Sequence, residues 1–219
     1  SRLRLSRKPS SRALDAILNP KEDGPRLDAH HRLLWAVFAD SPDRRRDFLW
    51  REERQGEFLA LSARPPAPSD LFEPPDVKPF APQLAPGDGL AFALRANATR
   101  DRRDAGRVDV VMDALHALPA GARASERMAL AQREGAAWLA RQGAAAGFRL
   151  IGAEVGDYSV AALPAHRGAR RGQPQFGILD MTGTLEVTDP AAFLARLTQG
   201  FGRARAFGCG LMLIRRAAS

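Results

Sequence analysis

Leu27-Asp28-Ala29-His30-His31-Arg32-Leu33-Leu34-Trp35-Ala36-Val37-Phe38, then Phe48-Leu49-Trp50-Arg51-Glu52, then Phe58-Leu59-Ala60-Leu61-Ser62 is the stretch that decides the fold. In its first part Leu27, His31, Leu34, Trp35 and Phe38 recur at helical spacing, and Ser41-Pro42 ends the element. The second and third parts are short runs rich in apolar and aromatic residues. Gln55-Gly56 lies between them, which is the pattern of two strands joined by a turn.

Working outward, Arg2-Leu3-Arg4-Leu5-Ser6-Arg7 alternates polar and apolar residues with the period of a half-buried strand. Downstream, residues 65–88 are rich in proline, which allows a short helix near Leu71 and an edge strand around Val77 to Phe80. The resulting order, β-α-β-β-(α)-β, is that of a split βαβ unit with two helices on one face of an antiparallel sheet. It recurs in the second half: Leu90 to Ala96 as a strand, Ala124 to Ala146 as a helix, then strands at Arg149 to Ser159 and Phe176 to Val187. A helix from Pro190 to Gln199 and a strand from Leu211 to Arg215 complete it. Asp189-Pro190 supplies an N-cap and a first-turn proline for that helix, and Gly200 ends it. The expected class is α+β, with tandem ferredoxin-like (RRM-like) βαββαβ domains at residues 1–86 and 87–219.

The net charge of +8 favours a polyanionic partner. Lysine occurs only at Lys8, Lys21 and Lys78, so arginine carries the positive charge, and its planar fork suits phosphate oxygens and base edges. The single Cys209 excludes an intrachain disulfide, and the four histidines and one cysteine form no zinc-type spacing. No uninterrupted apolar run is long enough to span a bilayer, and the Ser1-Arg2-Leu3-Arg4-Leu5 start lacks the apolar core of a signal peptide. The expectation is a soluble, cytoplasmic protein with no metal, no cofactor and no membrane partner.

Chemistry concentrates in three places. Gly200-Phe201-Gly202-Arg203-Ala204-Arg205-Ala206-Phe207-Gly208-Cys209-Gly210-Leu211 sets four glycines around two arginines. Backbone N–H groups freed by glycine turns can cradle phosphates while Arg203 and Arg205 neutralise them and Phe207 packs or stacks. It is neither a P-loop nor a dinucleotide fingerprint, because the lysine is missing and the glycines follow a helix rather than a strand. The adjacent His30 and His31 lie on the first helix, where successive side chains diverge by about 100°. His31 shares a stripe with Leu27, Leu34, Trp35 and Phe38, placing its imidazole at the edge of the packed face with His30 pointing elsewhere. An imidazole so placed suits proton transfer, although a packing role fits the same spacing. The third is the basic loop from Ala165 to Gln175, with Arg167, Arg170 and Arg171, which an RNA groove or a solvated loop would explain equally. Arg44-Arg45-Arg46 reads as a solvated turn, while the charged run from Arg100 to Arg107 fits an RNA-contacting patch or a solvated loop equally, its alternating acidic residues weakening the patch.

In order along the chain, Ser1-Arg2-Leu3-Arg4-Leu5, His31-Arg32-Leu33-Leu34-Trp35, Asp47-Phe48-Leu49-Trp50-Arg51, Leu94-Arg95-Ala96-Asn97 and the Gly200 to Leu211 loop resemble the landmarks of the CasE family of CRISPR-associated endoribonucleases. The resemblance implies tandem ferredoxin-like domains that bind the stem-loop of a CRISPR repeat and cut precursor RNA at the 3′ base of the stem without a metal. Its products are a 2′,3′-cyclic phosphate and a 5′-hydroxyl, and the protein stays with the crRNA among the other Cascade subunits. It further implies His31 as the catalytic histidine, and Gly202, Arg203, Arg205, Gly208 and Gly210 as RNA-binding, with Arg167, Arg170 and Arg171 on a basic hairpin. Some relatives carry a tyrosine three residues before the histidine; this chain has Asp28 there, which would orient His31 or raise its pKa. The competing expectations are a structural RNA-binding subunit that does not cut and, more distantly, a DNA-binding regulator, for which no helix-turn-helix pattern is present.

Overall fold

The computed structural model describes residues 1–8, 14–39, 44–104, 106–164 and 174–217. The chain divides into two compact units: Ser1–Ala81 with Ala161–Gln175 and Arg205–Gly208, and Pro82–Val160 with Phe176–Ala204 and Cys209–Ser219.

In the first unit, β1 (Arg2–Arg4), α1 (Asp15–Leu18), α2 (Asp23–Phe38), β2 (Phe48–Arg54) and β3 (Glu57–Ser62) follow one another, and the strands form an antiparallel sheet in the order β1-β3-β2. Gly56, at φ +73°, turns the β2–β3 hairpin. Among the described residues, the helix expected near Leu71 and the strand expected around Val77 to Phe80 do not form. Instead the chain touches the free edge of β1 at two isolated bridges, Leu5 to Phe72 and Arg2 to Asp76. Pro74 and Pro75 lie between those bridges, and a residue without an N–H cannot donate to a continuous ladder. The segment thus takes the fourth-strand position in reduced form. The core holds Leu3, Leu27, Leu34, Phe38, Trp50 and Phe58, with His30 fully buried among them.

The second unit is more regular. β4 (Gly89–Ala96), β7 (Phe148–Ala162), β8 (Gln175–Val187) and β9 (Met212–Arg216) form a sheet in the order β7-β8-β4-β9, the ferredoxin-like arrangement. The β4–β8 register runs unbroken from Gly89 opposite Glu186 to Ala96 opposite Leu179. α4 (Arg123–Ala146) and α5 (Pro190–Gln199) contribute Leu130, Trp138, Leu139, Phe193 and Leu197 to a core shared with Leu90, Phe92, Leu94 and Phe148. Asp189 caps α5 by accepting from the Ala192 N–H at 3.0 Å, with Pro190 in the first turn. A hairpin, β5 (Thr99–Arg102) and β6 (Gly106–Asp109), and α3 (Val110–His116) come between β4 and α4. They give regular structure to a run whose sequence fits an RNA-contacting patch or a solvated loop equally. Arg100 and Arg102 both pair with Asp113, and Arg107 bonds Asp101 at 2.9 Å, so these arginines are neutralised locally.

Candidate RNA-processing site

Two adjacent residues on α2 have different fates. The face that α2 buries holds Gly24, Leu27, His30, Leu33, Leu34, Val37 and Phe38. It is therefore His30, not His31, that points into the core. Its Nε2 lies 3.2 Å from Asn19 Oδ1 and its ring packs edge-on against Phe58 at 4.8 Å. Burial, with help from the Arg26 charge, depresses its pKa to about 4. The imidazole is thus neutral near pH 7, and Glu52 Oε2, at 3.7 Å from Nδ1, is too distant for a hydrogen bond.

His31 is half-buried at the edge of that face, as the sequence leads one to expect. Its ring lies 6.3 Å from Trp35 and meets Phe207 edge-on at 5.5 Å. Arg46 Nη2 sits 2.9 Å from His31 Nδ1. The same guanidinium covers the Trp35 ring at 5.5 Å and the Phe48 ring at 5.1 Å, so Arg46 is packed over aromatics and is not the solvated turn residue its triplet suggests. Burial lowers the His31 pKa first and Arg46 lowers it further; Asp28 opposes and Arg32 adds to the fall. Asp28 itself accepts a hydrogen bond from Arg32, so its influence on His31 is through charge and not contact.

The glycine-rich loop is anchored in both units. In the first, Trp50 Nε1 donates to the Ala206 carbonyl at 3.2 Å, fixing the 3-10 turn Arg205–Phe207 that carries Phe207 to His31. Gly208, at φ +77°, lies so close to the Trp50 ring that a Cβ would meet it at 3.2 Å. In the second unit, the Arg203 N–H donates to the Asn97 carbonyl at 3.0 Å and the Gly210 N–H to the Arg95 carbonyl at 2.7 Å. A Cβ on Gly202 would come within 2.5 Å of the Asn97 carbonyl oxygen, which explains a glycine there at φ +72°. Asn97 is held in turn by its side-chain bond to the Gly177 carbonyl at 2.8 Å. Two of the sequence landmarks thereby acquire a physical role within their own units: Trp50 holds Ala206 and Gly208 in the first, and Arg95 and Asn97 hold Gly210, Arg203 and Gly202 in the second.

Arg203 is exposed, and Arg205 is partly buried in its turn. Arg167, Arg170 and Arg171 lie outside the described residues. Cys209 is buried. Among the described residues, no three His, Cys, Asp or Glu side chains converge as metal ligands would, and no helix is long and apolar enough to cross a membrane. Sequence reasoning does not find Arg46 and Trp50 as parts of the site. Charge spacing gives no sign of either, and only aromatic neighbours such as Phe48 hint that an arginine beside them is stacked.

The geometry has recognisable relatives. Residues 1–216 match the family described as CRISPR associated protein. The chain is 31% identical over 224 residues to the CRISPR-associated endoribonuclease Cse3 of Thermus thermophilus, covering 90% of this chain and 96% of that protein. It is 27% identical over 190 residues to the CRISPR system Cascade subunit CasE of Escherichia coli, covering 83% of this chain and 88% of that one. A solved structure of CRISPR endoribonuclease Cse3 bound to a 19-nucleotide RNA superposes with a TM-score of 0.69 at 26% identity, over 98% of this chain and 97% of that one. A half-buried histidine on the first long helix, a glycine-rich loop tied before the last strand and two ferredoxin-like units are therefore the frame of a chain that belongs to the CRISPR-associated protein family, of the CasE type.

Proposed function

We propose that this chain is a sequence- and structure-specific endoribonuclease that binds the stem-loop of a CRISPR repeat and cuts precursor CRISPR RNA at the 3′ base of the stem. One observation carries the reading: His31 is the half-buried imidazole of α2, framed by a guanidinium at Nδ1 and by Phe207 from the glycine-rich loop. Similarity to Cse3, a named endoribonuclease whose structure has been solved with RNA, supports it. Similarity to the Cascade subunit CasE supports a place beside the other Cascade subunits; retention of the product there, in the cytoplasm, is part of the same proposal.

The reaction needs no metal in this account. The 2′-oxygen attacks the adjacent phosphorus, the bond to the 5′-oxygen breaks, the 2′-hydroxyl proton is lost and the leaving oxygen gains one. The products are a 2′,3′-cyclic phosphate and a 5′-hydroxyl. His31 is the proton-transfer group, and arginines beside it offset the charge of the phosphorane. Asp28 assists only through its effect on His31. Along the sequence the proposed boundary lies near residue 86: residues 1–86 carry His31, and residues 87–219 contain the basic hairpin with Arg167, Arg170 and Arg171, although residues 161–175 and 205–208 group with the first unit. The loop, through Gly202, Arg203, Arg205, Gly208 and Gly210, holds the RNA backbone.

The test is incubation of the protein, with chelator present, with its cognate hairpin and with the same hairpin carrying a 2′-deoxy residue at the scissile position. Cutting of the first alone is expected. Binding without cutting of either would favour a structural RNA-binding subunit, and no binding of either would remove the RNA reading altogether.

A further inference from the structure

Arginine carries only donors, so the Arg46 Nη2 to His31 Nδ1 contact at 2.9 Å requires a lone pair on Nδ1. A neutral His31 held this way carries its proton on Nε2. That state can serve none of the proton transfers asked of the residue. A base acting through Nε2 needs the proton on Nδ1, a general acid needs protons on both nitrogens, and a base acting through Nδ1 needs that lone pair free. In each case Arg46 has to leave Nδ1 first.

Arg46 is suited to leaving. Its Nη1 is buried and has no hydrogen-bond partner, and no carboxylate pairs with it among the described residues. A half-buried guanidinium with one donor spent on a neutral ring nitrogen and another unspent is an incompletely satisfied charge. A phosphodiester oxygen would accept from both donors and carry the opposite charge. Stacking over Trp35 and Phe48 keeps the side chain beside the imidazole while its fork turns.

Resting on the endoribonuclease reading above, we propose that Arg46 is a substrate-coupled switch: in the free protein it holds His31 neutral through Nδ1, and on RNA binding it transfers to the phosphate and frees the imidazole for proton transfer. The charged groups that act on His31 are Arg46, on the segment entering β2, and Asp28 and Arg32, on its own helix; the turn that carries Phe207 to it also bears Arg205. Of these, Arg46 is the one bonded to the ring. Its removal to a phosphate takes away a cation and brings an anion near, and both changes raise the His31 pKa.

The experiment is a pH titration of histidine-labelled protein by long-range proton–nitrogen correlation, which reads the His31 tautomer and pKa directly. It is run on wild type, Arg46→Met and Arg46→Lys, each free and bound to the non-cleavable 2′-deoxy repeat hairpin, with thermal melts to verify folding. In free wild type, His31 should be the Nε2–H tautomer with a pKa below the ordinary histidine value of 6.5. Bound to hairpin, its pKa should rise by about a unit or more. Arg46→Met should show the raised pKa already without RNA, and its single-turnover cleavage of cognate hairpin should fall by about 10²-fold. Arg46→Lys should recover part of that rate and part of the pKa depression.

A folded Arg46→Met protein with an unaltered His31 titration overturns the contact. A wild-type titration that hairpin leaves unmoved overturns the transfer to phosphate. A wild-type protein that fails to cut cognate hairpin while its His31 titrates as described sinks the endoribonuclease reading alone. One that cuts while its His31 is indifferent to Arg46 sinks the switch alone.

Discussion

His30 and His31 are consecutive residues on one helix, yet one serves the core and the other the site. His30 has no exposed surface, an amide partner in Asn19 and a pKa pushed to about 4. His31 has an open edge, a guanidinium on one nitrogen and an aromatic neighbour delivered by a loop far away in sequence. The difference teaches that a helix assigns chemistry by angle: a turn of about 100° takes an imidazole from the sheet face to the rim. Both histidines are biased toward neutrality, but His30 chiefly by desolvation that nothing can relieve without unfolding. His31 is biased partly by a contact that a substrate can remove.

The comparison can be broken most severely at the rim. His31→Ala should lower single-turnover cleavage of the cognate hairpin by about 10²-fold or more while hairpin affinity and the unfolding midpoint barely move. Unchanged cutting would assign both histidines to packing. On the core side, the folded His30 resists protonation while the unfolded one, near the ordinary value of 6.5, accepts it. Folded stability is therefore complete above about pH 6.5 and falls as the pH drops toward 4, by roughly 3 kcal/mol from this residue. Denaturant unfolding at pH 7 and pH 4.5 should show the loss, and His30→Leu should flatten it; a slope that persists in the variant would place the titration elsewhere.

Two smaller effects sharpen the role of the loop that meets the rim. Gly208→Ala forces a side chain into a left-handed backbone conformation against the Trp50 ring, at a cost of about 1–2 kcal/mol in the unfolding free energy. An equally stable variant would show the Arg205–Phe207 turn to be loosely held. Arg205→Ala should weaken hairpin binding and reduce the slope of log affinity against log salt by about one, with little change in melting. An identical slope would remove Arg205 from the phosphate contacts.

Much of this is legible in the residues. Pro190 to Gln199 is bounded in the sequence as in the structure because Asp189, Pro190 and Gly200 are chemical punctuation that tertiary context does not override. The strands of the second sheet are likewise readable from their apolar runs, with ends displaced by a residue or a few. The reduced fourth strand of the first unit is not, because Pro74 and Pro75 rule out a ladder without saying where single bridges will form. The β5–β6 hairpin escapes a hydrophobic pattern because its strands carry charge and not apolar alternation, being held by pairs such as Arg107 with Asp101. The stripe on α2 is displaced by one residue from its periodic reading, since Trp35 and His31 share the helix edge while Leu33, Val37 and His30 fill the core. Arg46 is unreadable for a different reason: its meaning depends on Trp35, Phe48 and His31 meeting around it, which is a property of packing.

The most direct test of the account is end-group analysis of the RNA released by the wild-type protein in the presence of chelator. A 2′,3′-cyclic phosphate on the upstream product and a 5′-hydroxyl on the downstream one are what the proposed mechanism predicts, in which the attacking oxygen is the RNA's own and His31 moves protons. A 3′-hydroxyl with a 5′-phosphate would mean that water is the nucleophile, and loss of cutting when the metal is withdrawn would mean that a metal takes part; either result would contradict the central claim.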